Sequence, residues 1–561
     1  MTAVLGLNFH HDTSAALIVD GRLYAAEEER WSGIKHHRQH QWKSVLTPPT
    51  QALTWCLDAA SLDPDDIDAV WVPSMRPTPA AGTWLSTEHD ELAAALPEPL
   101  GSRLRLMSHH TAHAMSGYLL SGLDHAAGLV IDAGGSALGA DFGPGRERIT
   151  GYDLTPNRID RVYQATPAVL PGPRRVHSSL GHFYRNFALR IIPPGDEAEG
   201  SLMAMAAFGD PSRYRHDVQQ LLHLAAEGIV HIEPPYGSAD TTTPIRIGDR
   251  TWTAGSVADA SFAERADLAA AVQEAFSCAV IHVARHLRRI TEATSLVFSG
   301  GCALNSHLNG RLAAEADFDT LFIAPAPHDA GTALGAALYG WHYQLCQPPL
   351  PVPVDAAWGP HPGPIPSSAI PAGHRLISGL GDRLIPAVAG LLAEHRVVGW
   401  VQGGMEFGPR ALGHRSILAH PGHTETRDRL NAIKQRAAYR PFAPAVIAER
   451  VHDWFMAPGD PFMNRVASAR RCRASQIAAV VHHDGTTRLQ SIAKHHAGLR
   501  PLLEEFHRLT GLPMLLNTSF NTKSAPILMS AEQAVRAAGD LGLDAVVVND
   551  ALLISDKLST R

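Results

Sequence analysis

The chain has 561 residues, of which 45% are hydrophobic and 18% charged, a balance typical of a globular protein with large cores and unlike that of a disordered chain. This length holds roughly three to five units of ordinary domain size, which excludes a single small module. The net charge of −7 argues against a broad polyanion-binding surface, and we expect neither nucleic acid nor a membrane among the partners.

The cysteines and the first residues predict a cytoplasmic protein. The five cysteines are widely spaced and form no C-x-x-C pair, as expected in a reducing compartment. The opening segment MTAVLGLNFHHDTSAALIVDG lacks a basic stretch and is interrupted by His10, His11 and Asp12, so we expect no secretory leader. No run reaches the roughly 18–20 apolar residues of a membrane span.

The first part of the chain alternates strand-like and helix-like segments. Strands are predicted at 4–8, 15–19 and 23–26, with Asp20-Gly21 suited to a tight hairpin turn between the last two. Further along the chain, strands are predicted at 129–131, 296–298 and 321–324, and a helix is predicted over about 267–287. This alternation predicts an α/β fold.

Turns rich in glycine and aspartate follow several of these strands. They are Asp132-Ala133-Gly134-Gly135, Ser299-Gly300-Gly301 and His328-Asp329-Ala330-Gly331. Glycine after a strand lets backbone N–H groups approach an anion, and ligands gather beyond the carboxyl ends of strands. The arrangement resembles the actin, sugar-kinase and Hsp70 ATPase fold, in which two related halves enclose a nucleotide, although no internal repeat is visible by sequence identity.

The histidines of SHHTAHAM indicate a metal site. His109 and His113 are four residues apart, and His110 and His113 are three apart, so either pair shares one face of a helix. Spacing does not choose between the pairs. Two histidines rarely complete a site, and Asp132 and Asp329 are the natural carboxylate candidates. Such a donor set suits iron, manganese or zinc.

The turn after the predicted strand 296–298 is a candidate nucleotide contact. Gly300, Gly301 and Asn305 lie where that strand leads into a helical pattern. Cys302 is interpreted as a small buried residue rather than a nucleophile.

A segment rich in proline and glycine, 347–373, predicts a linker, because it cannot sustain a helix or a central strand. It separates a first domain, 1–346, from a second, 374–561. The second domain again mixes predicted strands, at 397–401, 478–481, 514–516 and 545–548, with helical stretches, and it is long enough for its own core.

Basic and amide side chains of the second domain predict an anion pocket. Arginine forks bind phosphate and carboxylate oxygens in bidentate fashion, and the basic residues here are interrupted by glycine and proline rather than spread along one helix face. The candidates are Arg410, Arg415, Lys434, Arg436, Arg440, Arg488, Asn517, Ser519 and Asn521.

Seven segments in chain order carry a family resemblance. They are HHTAH at 109–113, GGCALN at 300–305, HDAGTALGAAL at 328–338, EFGPRALGHRSIL at 406–418, RPFAPAV at 440–446, HDGTTRLQ at 483–490 and LLNTSFN at 515–521. Together they closely resemble the NodU/CmcH-type O-carbamoyltransferases, and the carboxyl-terminal segments are the most specific of them.

The resemblance implies an actin/Hsp70-like first domain similar to the synthase of tRNA threonylcarbamoyladenosine formation, followed by a YrdC-like α/β domain. In this analogy the second domain makes carbamoyl adenylate from ATP, with Mg, and carbamoyl phosphate. The first domain then transfers the carbamoyl group to a hydroxyl of a small antibiotic-type acceptor. A homodimer is left open.

The resemblance also implies residue roles. It favours a metal, iron first with manganese or zinc as alternatives, on His109, His113, Asp132 and Asp329. It implies carbamoyl phosphate and ATP near Arg410, Lys434, Arg440, Arg488, Asn517 and Ser519. The transfer needs a base near the metal, and His11 with Asp12 is our candidate, weighed against a structural turn histidine.

Two other functions compete with this one. A tRNA threonylcarbamoyl-type enzyme is disfavoured by the net charge. An actin-like ATP-binding module without catalysis would bind nucleotide with no dependence on carbamoyl phosphate. The acceptor itself leaves no readable code, and we expect the region 144–194 to cover its cleft.

Overall fold

The computed structural model describes residues 1–37, 48–74, 86–136, 146–165, 179–233, 236–237, 243–253, 256–496 and 498–556. The chain forms two compact units. The N-terminal unit contains residues 1–28 and 39–352, and the C-terminal unit contains residues 29–38 and 353–561. A short piece of the early chain, 29–38, therefore belongs to the C-terminal unit.

The strands of the N-terminal unit are β1 Ala3–Asn8, β2 Ser14–Val19, β3 Arg22–Glu27, β4 Ala69–Ser74, β5 Leu104–Ser108, β6 Ala126–Ile131, β7 Ile149–Thr155, β8 Arg158–Gln164, β9 Leu222–Leu224, β10 Val230–Ile232, β11 Ile245–Ile247, β12 Arg250–Trp252, β13 Ser295–Ser299 and β14 Thr320–Phe322. Those of the C-terminal unit are β15 His374–Ile377, β16 Val398–Val401, β17 Arg415–Ala419, β18 Ala443–Ile447, β19 Val466–Ser468, β20 Thr486–Arg488, β21 Gln490–Ile492, β22 Met514–Ser519, β23 Ala545–Val548 and β24 Ala551–Ser555.

The helices, in chain order, are α1 Glu29–Ser32, α2 Thr50–Ala60, α3 Ser86–Ala94, α4 His109–Ser121, α5 Leu180–Ile191, α6 Ala198–Ala206, α7 Arg215–Gln219, α8 Phe262–Thr291, α9 Ser306–Glu315, α10 Ala330–Tyr339, α11 Leu384–Ala393, α12 Thr424–Ile433, α13 Val451–Trp454, α14 Arg500–Thr510 and α15 Ala531–Asp540. This is the mixed α/β fold that the sequence predicts.

The N-terminal unit repeats one sheet topology. The first sheet has the order β3-β2-β1-β4-β5, and the second has the order β8-β7-β6-β13-β14. In each sheet the first three strands are antiparallel and the last two run parallel to the first. The duplication is visible in strand order although sequence identity does not reveal it.

The hairpin between β2 and β3 forms as its turn residues predict. Asp20 and Gly21 have φ of 44° and 82°, the left-handed pair that matches the twist of the flanking strands. Helix α8 is the one helix among the described residues that is long and apolar enough to cross a membrane, but 78% of that apolar window is buried inside the structure. It therefore packs as a core helix.

The C-terminal unit is built on one eight-stranded sheet, with the order β15-β24-β23-β16-β17-β22-β18-β21. Side chains alternate between two cores along its central strands: Val546 packs into one, with α15, and Val547 into the other, with α11 and α14. Both faces are covered, which explains why β16, β17, β18 and β23 are fully buried.

The proline-rich segment 347–373, described throughout, contains no strand and no α-helix. From residue 353 onward it is packed into the C-terminal unit, where Pro362 O accepts from Ala531 N and Ala356 O accepts from Phe407 N. The predicted strand at 478–481 is wrong. Residues 474–477 form a 3-10 turn that runs into further turns, because Ala479 N bonds Pro421 O and Val480 N bonds Ile477 O.

Candidate functional site

Helix α4 brings two histidines to one point. Ser108 caps its start, since the Ser108 Oγ accepts from Thr111 N at 3.1 Å, and the helix period places His113 one turn after His109. Both imidazoles are fully buried, and their Nε2 atoms lie 3.1 Å apart.

Two carboxylates from other strand ends join them. Asp132 follows β6, and its Oδ2 lies 3.3 Å from His109 Nε2 and 3.5 Å from His113 Nε2. Asp329 precedes α10, and its Oδ1 lies 3.6 Å from His109 Nε2 and 3.5 Å from His113 Nε2. We call His109, His113, Asp132 and Asp329 the two-histidine, two-aspartate cluster.

The spacing within this cluster fits a divalent transition-metal ion. Four ligands about 2.1 Å from an ion in tetrahedral geometry stand about 3.4 Å from one another, and the measured separations are 3.1–3.6 Å. Two imidazole nitrogens and two carboxylate oxygens suit iron, manganese or zinc.

The charges in the cluster also favour a bound cation. Burial opposes the charge on Asp132, but the hydrogen bonds and charges of His109 and His113 outweigh it and hold the pKa of that carboxyl well below its usual range. Burial likewise opposes a charge on His109, yet Asp329 and Asp132 raise its pKa to about 10. Two ionised carboxylates in a buried position need positive charge beside them.

The alternative pair of His110 and His113 does not converge. His110 points to the other side of α4, where its Nδ1 lies 2.6 Å from Thr150 Oγ1. Thr150 in turn donates to Gln164 Oε1, so it accepts from His110. Burial lowers the pKa of His110 to about 3, which keeps that ring neutral.

A buried glutamate that sequence reasoning missed anchors the start of α4. Glu147 accepts from the Ser108 hydroxyl at 2.6 Å, from His110 N and Ser136 N at 3.1 Å each, and from the Arg161 guanidinium at 2.8 Å. No motif marks this residue, because its partners lie on separate segments. It fixes the first turn of the helix that carries His109 and His113.

We expect Glu147→Gln to destabilise the N-terminal unit by about 2–4 kcal/mol, because a buried acceptor of several hydrogen bonds loses its charge beside Arg161. Burial opposes this charge, whereas the charge of Arg161 and the hydrogen bonds from the Ser108 hydroxyl and His110 N outweigh burial and lower the pKa of Glu147. A lowered pKa contributes stability above the ordinary glutamate pKa that is lost as the pH falls. Calorimetry at pH 7 and pH 4 measures both effects, with the exposed Glu233→Gln as control; equal unfolding temperatures at pH 7 would contradict the expectation.

The first turn of the chain reaches the same cluster. The buried Asn8 side chain donates to the carbonyl oxygens of His11, Asp12 and Asp329 at 2.9, 3.1 and 3.1 Å. His11 Nδ1 lies 2.5 Å from Asp12 Oδ2, and the imidazole is 42% exposed. Asn8 was missed from sequence, although its place at the end of β1 is where a ligand-binding side chain is expected.

The glycines after β13 permit close packing beside Asp132. Gly300 has φ of 91°, and a Cβ there would lie 2.3 Å from Ile131 O. A Cβ on Gly301 would lie 3.0 Å from Asp132 Oδ1. The geometry does not support the predicted nucleotide contact by Asn305, because its side chain caps α9 through Leu308 N and exchanges two hydrogen bonds with Gln273.

In the C-terminal unit, Lys434, Ser519 and Asn521 meet directly. Lys434 is 3% exposed and ends α12. Its Nζ donates to the main-chain oxygens of Ser519 and Asn521 at 2.5 and 2.8 Å, to Asn521 Oδ1 at 2.9 Å and to Ser519 Oγ at 3.2 Å. We call these three residues the lysine cluster.

The other predicted anion ligands differ in placement. Arg410, Arg440 and Arg488 are half-buried. Asn517 is buried, and its Nδ2 donates to Ala411 O and Gln490 Oε1, which links the segments 406–418, 483–490 and 515–521. Gln490 is one residue within these motifs that sequence reasoning did not single out.

Arg415 is placed as a structural residue rather than an anion ligand. Its fully buried guanidinium donates to five carbonyl oxygens, those of Pro360, Gln402, Gly403, His414 and Met529. The Glu406 carboxylate accepts from the backbone N–H groups of Leu412, His414 and Arg415 and shapes the same loop.

We expect Arg415→Lys to destabilise the C-terminal unit by about 3 kcal/mol. A lysine ammonium cannot donate to all the carbonyl oxygens that surround the planar guanidinium, and some of them would lose their hydrogen bond. Burial already lowers the pKa of Arg415 to about 10. Thermal unfolding measures the loss, and the exposed Arg536→Lys is the matched control. A normally stable Arg415→Lys protein with weakened carbamoyl phosphate binding would contradict the structural role.

The region proposed over the acceptor cleft, 144–194, falls partly outside the described residues, which omit 144–145 and 166–178. The part that is described contains β7, β8 and α5.

Comparison with known proteins agrees with this picture. The models for the carbamoyltransferase N-terminus and C-terminus match residues 98–338 and 389–555. The nodulation protein NolNO of Sinorhizobium fredii is 33% identical over 97% of this chain and 79% of its own length. The 3'-hydroxymethylcephem-O-carbamoyltransferase of Amycolatopsis lactamdurans is 32% identical over 70% of this chain and 71% of its own length.

Among solved structures, HypF of T. kodakarensis is 17% identical, covers 62% of this chain and 48% of its own, and has a TM-score of 0.33, too low to support a conclusion. These matches are to a family of enzymes, so they contradict the alternative hypothesis of an ATP-binding module without catalysis. The chain belongs to the carbamoyltransferase family and is a carbamoyltransferase enzyme.

Proposed function

We propose that this carbamoyltransferase uses ATP and carbamoyl phosphate to carbamoylate a hydroxyl group of a small natural product. The observation that carries the proposal is the buried two-histidine, two-aspartate cluster, whose 3.1–3.6 Å separations suit a metal ion. The acceptor class is supported by the relative named for carbamoylating a 3'-hydroxymethylcephem.

The first step belongs to the C-terminal unit. Water removes the phosphate of carbamoyl phosphate, the resulting carbamate oxygen attacks the α-phosphorus of ATP, and pyrophosphate leaves, which yields carbamoyl adenylate. Two polyanions come together only where cations neutralise them, and Lys434 with Arg410, Arg440 and Arg488 supplies that charge beside the Mg carried by ATP. Asn517, Ser519 and Asn521 shape the pocket, and Arg415 holds its loop.

The second step belongs to the N-terminal unit. The acceptor oxygen attacks the carbamoyl carbon, the bond to AMP breaks, and the hydroxyl proton passes to His11, which Asp12 orients. A divalent metal held by the cluster, iron first with manganese or zinc as alternatives, would stabilise the negative charge that develops on the leaving phosphate. A side chain at Gly301 would crowd Asp132 Oδ1, so glycine keeps this side of the cluster free of one.

The domain architecture is part of the same proposal. The repeated sheet order of the N-terminal unit supports an actin/Hsp70-like pair of lobes within the domain 1–346. The sheet of the C-terminal unit, covered on both faces by helices, is consistent with a YrdC-like domain at 374–561.

Pyrophosphate release from ATP, before any acceptor is added, tests the proposal. We expect release only when carbamoyl phosphate is present, because carbamate is the nucleophile. Release without carbamoyl phosphate, or no release from metal-loaded protein, would overturn the adenylate route.

A further inference from the structure

Three histidines outside the sites described above meet in the C-terminal unit. His395 follows α11, His420 follows β17, and His423 precedes α12. The His395 ring centroid lies 4.4 Å from the centroids of both His420 and His423, and those two are 5.6 Å apart. Each residue offers a ring nitrogen within 4.8 Å of the other two. We call these residues the three-histidine cluster.

The rings of His395 and His423 are available to a ligand. Both residues are exposed, and within the described part of the chain neither imidazole takes part in a hydrogen bond or an ion pair. Histidines in ordinary structural roles usually have such a partner, often a carbonyl or a carboxylate. Here the ring contacts of His395 are with His420 and His423.

His420 is the inner member of the cluster. It is 9% exposed, it packs edge-on against Phe506 at 5.5 Å, and its Nδ1 accepts from Gly422 N at 3.0 Å. An ion bound at Nδ1 would replace that one hydrogen bond. This hydrogen bond lies within the short connection 420–423 between the end of β17 and the start of α12.

The backbone at His395 supports a role for its side chain. His395 has φ of 63°, in the left-handed region that favours glycine after a helix. In this conformation the His395 ring lies beside the rings of His420 and His423.

A cavity opens in front of the cluster. It has a volume of about 330 Å³ and is lined by His395, Val397, His423, Glu425, Thr426 and Arg429. An ion can therefore reach the rings of His395 and His423 from solvent, and Glu425 also lines this cavity.

We propose that His395, His420 and His423 form a second metal site, for a divalent ion of the zinc class. Imidazole nitrogen is the donor that Zn²⁺, Co²⁺ and Ni²⁺ share, and three of them leave a fourth position for water or Glu425. The ion would join the ends of α11 and β17 to the start of α12. His420 directly follows β17, and β17 begins at Arg415, where the loop 406–415 ends. A bound ion would therefore stabilise the position of this strand.

The test uses the full chain without a histidine tag, stripped of metal and titrated with Zn²⁺ by calorimetry. Asp132→Asn removes a ligand of the N-terminal cluster, and in that background the Zn²⁺ lost after His423→Ala or His395→Ala is assigned to the three-histidine site. We expect about one equivalent of Zn²⁺, and at least about tenfold weaker binding after His423→Ala or His395→Ala. The exposed His452→Ala is the matched control and should bind as its parent does.

Thermal unfolding gives a second readout, because an ion that binds only the folded state raises the unfolding temperature. All variants carry Asp132→Asn in this experiment. Zn²⁺ should raise the unfolding temperature of the Asp132→Asn parent and of its His452→Ala variant, and should raise that of its His423→Ala variant less. His423 makes no side-chain cap on α12, so its removal leaves the helix start intact. Equal Zn²⁺ binding by His423→Ala and His452→Ala, or no Zn²⁺ bound in the Asp132→Asn background, would overturn the site.

Discussion

Replacing Asp132 with asparagine is expected to lower carbamoyl transfer by about a thousandfold while pyrophosphate release continues at the rate of the unaltered protein. Asp132 supplies one of two buried carboxylates within 3.6 Å of both histidines, and an amide oxygen carries no charge to hold a cation. The metal content of the purified variant should fall with the transfer rate, because ligand and charge are lost together.

Asp160→Asn is the control for this experiment, because Asp160 of β8 is a half-buried aspartate whose carboxylate pairs with the exposed Arg158. The two assays separate the steps: metal content and transfer report on the N-terminal unit, and pyrophosphate reports on the C-terminal unit. Full transfer by an Asp132→Asn protein that holds no metal would contradict the role of the cluster. Loss of pyrophosphate release would contradict the division of labour.

Lys434→Met is expected to impair the other step. It should lower carbamoyl phosphate-dependent pyrophosphate release by about a hundredfold to a thousandfold. The methionine keeps the length and the apolar stem but removes the ammonium that contacts Ser519 and Asn521. Transfer from carbamoyl adenylate supplied to the assay should continue, since the two-histidine, two-aspartate cluster is untouched.

The exposed Lys494→Met removes the same charge at the surface and serves as the control. Circular dichroism establishes that both variants are folded. If Lys434→Met releases pyrophosphate as Lys494→Met does, Lys434 is a structural lysine and the anion pocket lies elsewhere. If Arg440→Ala also retains release, the assignment of adenylate formation to this unit fails.

Local rules predicted much of the fold from sequence. Alternation of strand-like and helix-like segments, the Asp20-Gly21 turn and the helical spacing of His109 and His113 all depend on neighbours within a few residues, and the structure contains each of them. The apolar run 478–481 was misread, because four apolar residues fit a strand and a buried turn equally well, and the contact with Pro421 decided between them.

Charge and residue type alone could not distinguish residues that bind a ligand from residues that stabilise the fold. In sequence Arg415 looks like Arg410 or Arg440, but its guanidinium donates to carbonyl oxygens of three other segments, at Pro360, Gln402-Gly403 and Met529, and to that of the adjacent His414. Asn305 and Glu147 are further examples. The hydrogen-bond partners of their side chains became known only from the structure.

The spacing of helix-facing residues and the turn-forming residues could therefore be predicted from the sequence alone, because they depend on residues that are adjacent in the chain. Tertiary structure decided which distant residues meet. Asp132 after β6 and Asp329 between β14 and α10 both belong to the second sheet of the N-terminal unit, and they converge on α4, which follows β5 of the first sheet. Likewise, Arg30 donates a hydrogen bond to Gly408 O across 378 residues of chain. Such meetings depend on how whole elements pack, and no local pattern encodes that packing.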